Sequence, residues 1–325
     1  MFVDQFGRKA TDFRISVTDR CNYRCVYCMP ANVQWLPKPE ILTFEEIEYL
    51  VRLFASEGVD QLRLTGGEPL VRRDLHVLIE RLLKVPGISD LSLTTNGHFL
   101  KEQAKRLRDA GMKRINISLD SLRPDRFAKI TRSNSFHKVM EGIAAAKEAG
   151  FDPIKINCVA IRGFNDDEIV DFLQWGVKNE LKIRFIEFMP LDGDHNWKLP
   201  SVLSKAEILK KAREFGDFHE VLEQQPAPAA RYQTEEGKSD FGVIPSVTEP
   251  FCGNCSRIRI TAEGKFRNCL FAIEETDLRT PLRSGATSDE LLALIRKAIF
   301  SKWAGHKINH PDFEQPRRAM YAIGG

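Results

Sequence analysis

Short apolar runs alternate with amphipathic stretches from residue 13 to residue 188. The runs are rich in β-branched and aliphatic residues, which indicates strands, and the stretches between them carry apolar residues at helical spacing. This alternation favours a parallel sheet with right-handed crossovers. Six units are too few for a closed eight-stranded barrel, so we expect an incomplete (β/α)6 TIM-like barrel with functional loops at the carboxyl ends of its strands. The predicted strands cover residues 13–17, 59–65, 90–95, 114–119, 154–161 and 183–188.

Two of the predicted helices have a clear start signal. Thr43 is followed three residues later by Glu46, and Thr287 by Glu290, which is the spacing of a capping box. The other helices rest on the spacing of their apolar residues alone. They are predicted over residues 74–84, 100–110, 135–149, 166–179 and 203–215.

The alternation ends after about residue 196. Residues 224–232, QQPAPAARY, predict a connector rich in Pro and Ala. The run RIRITAEGKFRNCLF predicts a hairpin with its turn at residues 262–264. We therefore divide the chain into a barrel of residues 1–220 and a C-terminal α+β domain of residues 221–325.

Composition and charge narrow the function classes. With 42% hydrophobic residues in 325, the chain can bury a full core. A net charge of +3 is too mild to indicate a nucleic-acid partner, although it is compatible with a local basic pocket for a phosphorylated substrate. The N-terminus has no apolar stretch of signal-peptide length, and no run approaches a membrane span. We expect a cytoplasmic protein that binds neither nucleic acid nor membrane.

Six of the seven cysteines fall into two groups. In the first, Cys21, Cys25 and Cys28 have the spacing C-x3-C-x2-C. Three thiolates can hold three irons of a [4Fe–4S] cluster and leave the fourth iron open. A structural zinc site is the alternative, but tetrahedral zinc needs four ligands and no fourth one lies nearby. Cys158, which belongs to neither group, lies in an apolar run and is predicted to be a buried core thiol.

The second group comprises Cys252, Cys255 and Cys269, which the predicted hairpin brings together. The count is again three, so an iron–sulfur cluster with one open iron is one interpretation. Structural zinc is the other, with the distant His306 or His310 as the fourth ligand.

Arg257 and Arg259 alternate on the strand that follows the second group, so both side chains point to one face. Guanidinium groups suit bidentate contacts to phosphate or to a purine edge. A solvated strand face is the alternative explanation for the pair.

Further motifs give these residues a family context. The spacing C-x3-C-x2-C with TGGEPL at 65–70 resembles the radical SAM enzymes, in which the open iron chelates S-adenosylmethionine (SAM). The remaining motifs narrow the resemblance to the GTP 3′,8-cyclase family of molybdenum cofactor biosynthesis. They are TTNG at 94–97, INISLDSL at 115–122, EFMP at 187–190, CGNCSRIRITAEGKFRNCLF at 252–271 and the terminal Gly-Gly.

The resemblance implies two [4Fe–4S] clusters, SAM and GTP. The first cysteine group would hold the SAM cluster, and the second, in the C-terminal domain, a cluster whose open iron takes the guanine ring. The tail would reach into the active site. The implied SAM contacts are Tyr27, Gly67, Ser118 and Met189; the implied GTP contacts are Arg14, Arg63, Thr94 (or Thr95), Lys155, Arg257 and Arg259, of which Arg14, Arg257 and Arg259 are implied to be catalytic.

The implied reaction is radical cyclisation, in which a 5′-deoxyadenosyl radical removes the ribose 3′ hydrogen and C3′ then attacks C8 of guanine. Its implied partners are a flavodoxin- or ferredoxin-like electron donor and a downstream cyclic pyranopterin monophosphate synthase. A homodimer is compatible with the sequence. Two alternatives stay open at this point, namely a radical SAM peptide maturase and a non-enzymatic zinc-binding interaction protein.

Overall fold

A computed structural model of the protein describes residues 1–221, 228–234 and 240–324. In these ranges the strands form one sheet, in the order β12-β11-β10-β1-β2-β3-β4-β5-β6-β9-β8-β7. The strands are β1 Asp12–Ser16, β2 Gln61–Thr65, β3 Asp90–Thr95, β4 Arg114–Ser118, β5 Ile154–Ala160, β6 Lys182–Glu187, β7 Phe218–Val221, β8 Ala230–Thr234, β9 Asp240–Ile244, β10 Arg257–Ile260, β11 Lys265–Arg267 and β12 Thr276–Asp277.

Strands β1 to β6 pair in parallel and in chain order, and helices connect them. The predicted incomplete (β/α)6 barrel is thereby confirmed. The helices are α1 Phe44–Ser56, α2 Leu75–Leu83, α3 Leu100–Asp109, α4 Pro124–Thr131, α5 Phe136–Glu148, α6 Ile169–Asn179, α7 Lys205–Ala212, α8 Arg279–Arg283, α9 Ser288–Phe300 and α10 Met320–Ile323.

Local signals explain where several helices begin. Both predicted capping boxes are present, at Thr43 before α1 and at Thr287 before α9. A third, formed by Ser204 and Glu207, starts α7. Helix α4 was not predicted, although Pro124 in its first turn is a residue that favours a helix start.

The C-terminal segment extends the barrel sheet at both edges. Strand β10 pairs in parallel with β1, and β9 pairs in parallel with β6. Strands β10 and β11 form the predicted hairpin. The division into two domains between residues 220 and 221 stays a prediction. Strands from both predicted domains belong to one sheet.

The predicted connector over 224–232 is wrong at its end, because residues 230–232 belong to β8. There the ring of Tyr232 stacks on Phe241 of β9 with 5.3 Å between centroids. Antiparallel pairing and this packing outweigh the local Pro and Ala content. Residues 224–227 lie outside the described ranges.

The core lies between the sheet and the surrounding helices. Residues that alternate along the strands are buried, and Phe13 of β1 stacks on Phe54 of α1 at 4.1 Å. Cys158 is 1% exposed, which confirms the predicted core thiol. Within the described ranges, the helices are too short or too polar for any of them to cross a membrane.

Candidate active site

Three arginines lie side by side on neighbouring strands. Arg14 of β1 is in register with Arg259 of β10 on one side and with Arg63 of β2 on the other. Because parallel strands in register present equivalent residues to the same face, the three guanidinium groups enter the barrel together. Burial and Arg63 lower the pKa of Arg14 to about 9, and burial lowers the pKa of Arg63 to about 10.

One cavity of about 260 Å³ lies in front of this row. It brings together nearly all the residues that the sequence analysis singled out. Both cysteine groups line it, as do Thr94 and Thr95. The other predicted residues in its wall are Arg14, Tyr27, Arg63, Gly67, Ser118, Met189, Arg257 and Arg259.

Lys155 is the exception. It lines a neighbouring cavity of about 310 Å³ near the amino end of β5. Burial and the charge of Arg184 lower the pKa of Lys155 to about 7. Arg184 lines both cavities, so the cavity that contains Lys155 lies next to the one that contains the cysteines. The sequence analysis missed Arg184, although it alternates with buried residues on a strand that was correctly predicted.

The loop that carries the first cysteine group lies directly against the TGGEPL turn. The backbone nitrogen of Gly67 donates to the carbonyl of Thr18 at 2.8 Å. A Cβ on Gly67 would come within 2.4 Å of the carbonyl oxygen of Arg20. Glycine is therefore needed here for the close approach of two backbones, in addition to the ligand contact that the sequence analysis expected.

Glu68 joins two of the motifs, TGGEPL and TTNG. Its side chain accepts hydrogen bonds from the backbone of Leu70 at 3.0 Å, the hydroxyl of Thr95 at 2.6 Å and the backbone of Asn96 at 2.7 Å. Burial raises the pKa of Glu68 to about 7. Because the Thr95 hydroxyl is bound to Glu68, this geometry favours Thr94 as the residue that contacts substrate.

Asp120 is a second carboxylate that the sequence analysis missed. It accepts hydrogen bonds from the hydroxyl of Tyr27 at 2.8 Å and from the backbone nitrogen of Val159 at 2.9 Å. Burial raises its pKa to about 6. Asp120 therefore ties the first cysteine loop to the ends of β4 and β5. The motif INISLDSL contains it, but only the tertiary contact with Tyr27 distinguishes it from a turn residue.

The second cysteine group lies among cations. Burial alone would raise the pKa of Cys255, but the charges of Arg257 and Lys302 lower it to about 6. The guanidinium of Arg257 also lies 4.5 Å from the centre of the Phe251 ring. A thiol that is readily deprotonated suits a metal ligand.

The arrangement of the cysteines is compatible with iron–sulfur clusters. No group of three or more His, Cys, Asp or Glu side chains in the described part of the chain is arranged around a single metal ion. A cluster binds each thiolate at a different iron, so its cysteines need not converge on one point. Of the suggested zinc ligands, His306 packs against Phe271 at 4.9 Å and lines the same cavity as the second cysteine group, whereas His310 lies at the surface beside Asp312.

Some residues of the cavity wall carry polar atoms without a partner. Four such atoms are buried and have no hydrogen-bond partner among the described residues; two of them are donors and two are hydroxyl or amide oxygens. Such atoms are costly unless a ligand satisfies them. They are Arg14 Nε, Arg63 Nε, Thr65 Oγ1 and Asn157 Oδ1.

The C-terminal tail enters the same space. Arg259 donates from Nη1 to the carbonyl of Gly324 at 2.8 Å. Gly324 has a φ of +81°, and a Cβ there would lie 2.7 Å from Thr65 Oγ1. A side chain is therefore disfavoured at this position on both counts. Gly325 lies outside the described ranges.

Known structures share this fold. SuiB of Streptococcus suis, solved bound to S-adenosylmethionine, has a TM-score of 0.67 at 14% identity, over 96% of this chain and 76% of that chain. Methylornithine synthase, PylB, has a TM-score of 0.51 at 18% identity, over 65% of this chain and 64% of that chain. At such identities the likeness shows the fold alone.

Sequence relatives are much closer. The family profile of the Radical SAM superfamily matches residues 15–176, and that of Molybdenum Cofactor Synthesis C matches residues 181–308. The GTP 3′,8-cyclase of Rhodopirellula baltica is 48% identical over 99% of this chain and 92% of its own length. That of Streptomyces coelicolor is 47% identical over 100% of this chain and 96% of its own length. These matches exclude the zinc-binding interaction protein and the peptide maturase, and the chain belongs to the GTP 3′,8-cyclase family of radical SAM enzymes.

Proposed function

We propose that this chain converts GTP to (8S)-3′,8-cyclo-7,8-dihydroguanosine 5′-triphosphate, an early step of molybdenum cofactor biosynthesis. As a radical SAM enzyme it uses SAM and an iron–sulfur cluster. One observation supports the proposal most strongly: both cysteine groups and a row of buried arginines line one cavity. Relatives at 47% and 48% identity are named for the same reaction.

The protein's part in this reaction is to bind, orient and shield two molecules. A [4Fe–4S] cluster bound at the first cysteine group would supply the electron for reductive cleavage of SAM and so the radical chemistry that cyclisation of GTP needs. Holding the ribose 3′ hydrogen and C8 of guanine in a reactive arrangement is what the surrounding residues contribute. We assign Cys21, Cys25 and Cys28 to this cluster, and Tyr27, Gly67, Ser118 and Met189 to SAM.

The arginine row is assigned to the triphosphate. Each buried guanidinium is destabilised by burial, and Arg14 also by its neighbour Arg63. A polyanion relieves this repulsion and accepts charge-assisted hydrogen bonds from several arginines at once. Thr94 lies in the same wall and is assigned to GTP as well. Of the row, we propose that Arg14 and Arg259 act together with Arg257 as the catalytic arginines.

Lys155 and Arg184 extend the anion site. Arg184 lines both cavities, so a triphosphate that starts at the arginine row can reach Lys155 through it. Burial and the adjacent cations lower the pKa of Lys155 to about 7, so the free lysine is only partly charged near neutral pH. A phosphate beside it restores the charge.

The guanine ring is assigned to the second cysteine group. We propose that Cys252, Cys255 and Cys269 hold a second [4Fe–4S] cluster, whose open iron takes a nitrogen or oxygen of the base. Arg257 lies beside Cys255 and faces the cavity, where it can contact the same ring. In this scheme residues 1–220 bind SAM, and residues 221–325 bring the second cluster to it.

The reaction requires partners. We propose a flavodoxin- or ferredoxin-like protein as the source of the electron and a cyclic pyranopterin monophosphate synthase as the enzyme that consumes the product. The homodimer stays a prediction.

The two cysteine groups should be separable by substitution. Anaerobically reconstituted wild-type protein is expected to hold about eight irons, and Cys25→Ala or Cys255→Ala about four. Cys25→Ala should abolish reductive cleavage of SAM, whereas Cys255→Ala should retain some cleavage and lose GTP turnover. Iron analysis and chromatography of 5′-deoxyadenosine measure both. The control is Cys158→Ala, which should keep about eight irons; equal loss of SAM cleavage in the first two variants would contradict the division of roles.

GTP affinity should depend on pH through Lys155. Its pKa of about 7 in the free protein rises when the triphosphate binds, so binding takes up protons above pH 7. The affinity for GTP should therefore weaken as the pH rises above about 7, by at most roughly tenfold per pH unit. Below about pH 7, Lys155 should contribute no pH dependence to that affinity. Titration calorimetry of the reconstituted protein without SAM measures it. Lys155→Met should flatten the slope, whereas Lys182→Met, in the same second cavity, should retain it. An identical slope in Lys155→Met would rule out this role.

The tail should matter for cyclisation and little for SAM cleavage. Deleting Gly324 and Gly325 removes a partner of Arg259, so pterin formation should fall steeply while uncoupled cleavage of SAM continues. Gly324→Ala should act in the same direction, because of its positive φ and the 2.7 Å approach to Thr65. The matched control is Gly285→Ala, since Gly285 has a φ of +83° but open space around it. The ratio of oxidised pterin to 5′-deoxyadenosine is the measurement, and an unchanged ratio at unchanged rate would show that the tail is only a frayed end.

A further inference from the structure

A short segment packs against the second cysteine group, and of its residues only His306 lines the cavity. This segment, residues 302–306, follows α9 and begins with Lys302, whose side chain is only 4% exposed. Lys302 is not part of the cavity wall, which on this side includes Cys252, Cys255 and Arg257. Its ammonium group therefore contacts Cys255 without lining the cavity.

The ammonium group of Lys302 has three acceptors. It donates to the carbonyl of Cys255 at 2.9 Å, to the carbonyl of Arg257 at 3.0 Å and to Cys255 Sγ at 3.7 Å. A lysine ammonium has three N–H groups, so this set uses its full capacity. The position of the charge relative to the sulfur is thereby fixed.

No carboxylate in the described part of the chain forms an ion pair with Lys302. Burying an ammonium group without an opposite charge is costly. The sulfur of Cys255 is the group beside it that carries negative charge when it binds a metal. The structure therefore pairs a buried cation with a cysteine ligand.

Neighbouring contacts hold the segment in place. Arg8 donates from Nη1 to the carbonyls of Cys252 at 2.7 Å and Ala304 at 2.8 Å. At Gly305 a Cβ would lie 3.3 Å from Cys252 Cβ, so the chain passes close to that cysteine. These contacts thus fix the position of the segment that carries Lys302 relative to the cysteines.

We propose that Lys302 is a positioning residue that raises the reduction potential of the second cluster by donating an N–H···S hydrogen bond to Cys255 and by placing a positive charge beside it. The inference rests on the proposed function, since it requires the cluster at Cys252, Cys255 and Cys269. Hydrogen bonds to cluster sulfurs and nearby charge are among the factors that set such potentials. Drawing electron density from the thiolate also makes the open iron a better acceptor for a base nitrogen or oxygen.

The test uses the full chain with Cys25→Ala, reconstituted anaerobically without SAM or GTP, so that only the second cluster remains. Its reduction potential is measured by a redox titration followed by electron paramagnetic resonance. Lys302→Met and Lys302→Gln remove the charge and should both shift the potential to more negative values. Lys302→Arg keeps the charge and should shift it less. Lys297→Met removes an exposed lysine of the preceding helix, α9, and should leave the potential unchanged.

The outcomes separate this inference from the function on which it rests. If the Cys25→Ala protein with Lys302 intact shows no reducible cluster, the second cluster is disproved and the inference falls with it. If the cluster is present but titrates at the same potential in Lys302→Met and Lys302→Gln, only the inference is overturned. If both variants lose the cluster while circular dichroism shows an intact fold, Lys302 is required to hold the cluster, and the tuning role is overturned.

Discussion

The parallel pairing of β10 with β1 is the constraint on which the site depends. Arg257 and Arg259 alternate on β10 with Ile258 and Ile260, which are buried in the core. Because side chains alternate between the faces of a strand, burying the isoleucines directs the arginines into the barrel. A shift of one residue would exchange the two sets. In the second cysteine group, Cys252 and Cys255 precede β10 and Cys269 follows β11, whereas the first group follows β1, and both groups line one cavity.

This arrangement is electrostatically unfavourable without a ligand. Asp12 is a carboxylate close to the arginine row, and its pKa is lowered because four arginines outweigh the effect of its burial. Like charges in neighbouring positions of adjacent strands destabilise a sheet. The core around Phe13 and Phe54 offsets that cost, so the fold tolerates a site that is completed by an anionic substrate. Like charges side by side in a sheet are therefore expected at a functional site, although they would be unfavourable elsewhere in a protein.

The sequence was sufficient to predict the framework of the barrel and the family. Strand order follows from the alternation of strands and helices, and the capping boxes at Thr43 and Thr287 are strictly local signals. The cysteine groups could be recognised from the sequence because their spacing is a local feature too. Strand β8 was missed because its stability comes from pairing with β9. Asp120 and Arg184 were missed because their roles depend on parts of the chain that are distant in sequence. Asp120 accepts a hydrogen bond from Tyr27, and Arg184 lines both cavities.

The central claim is that the second cysteine group presents an open iron to the guanine ring inside the shared cavity. The most direct measurement is hyperfine spectroscopy of the reduced second cluster in the Cys25→Ala protein, with GTP labelled with nitrogen-15 in the base. The account predicts a nitrogen coupling that appears when GTP is added and changes with the label. Saturating GTP that binds without producing any coupling would contradict it.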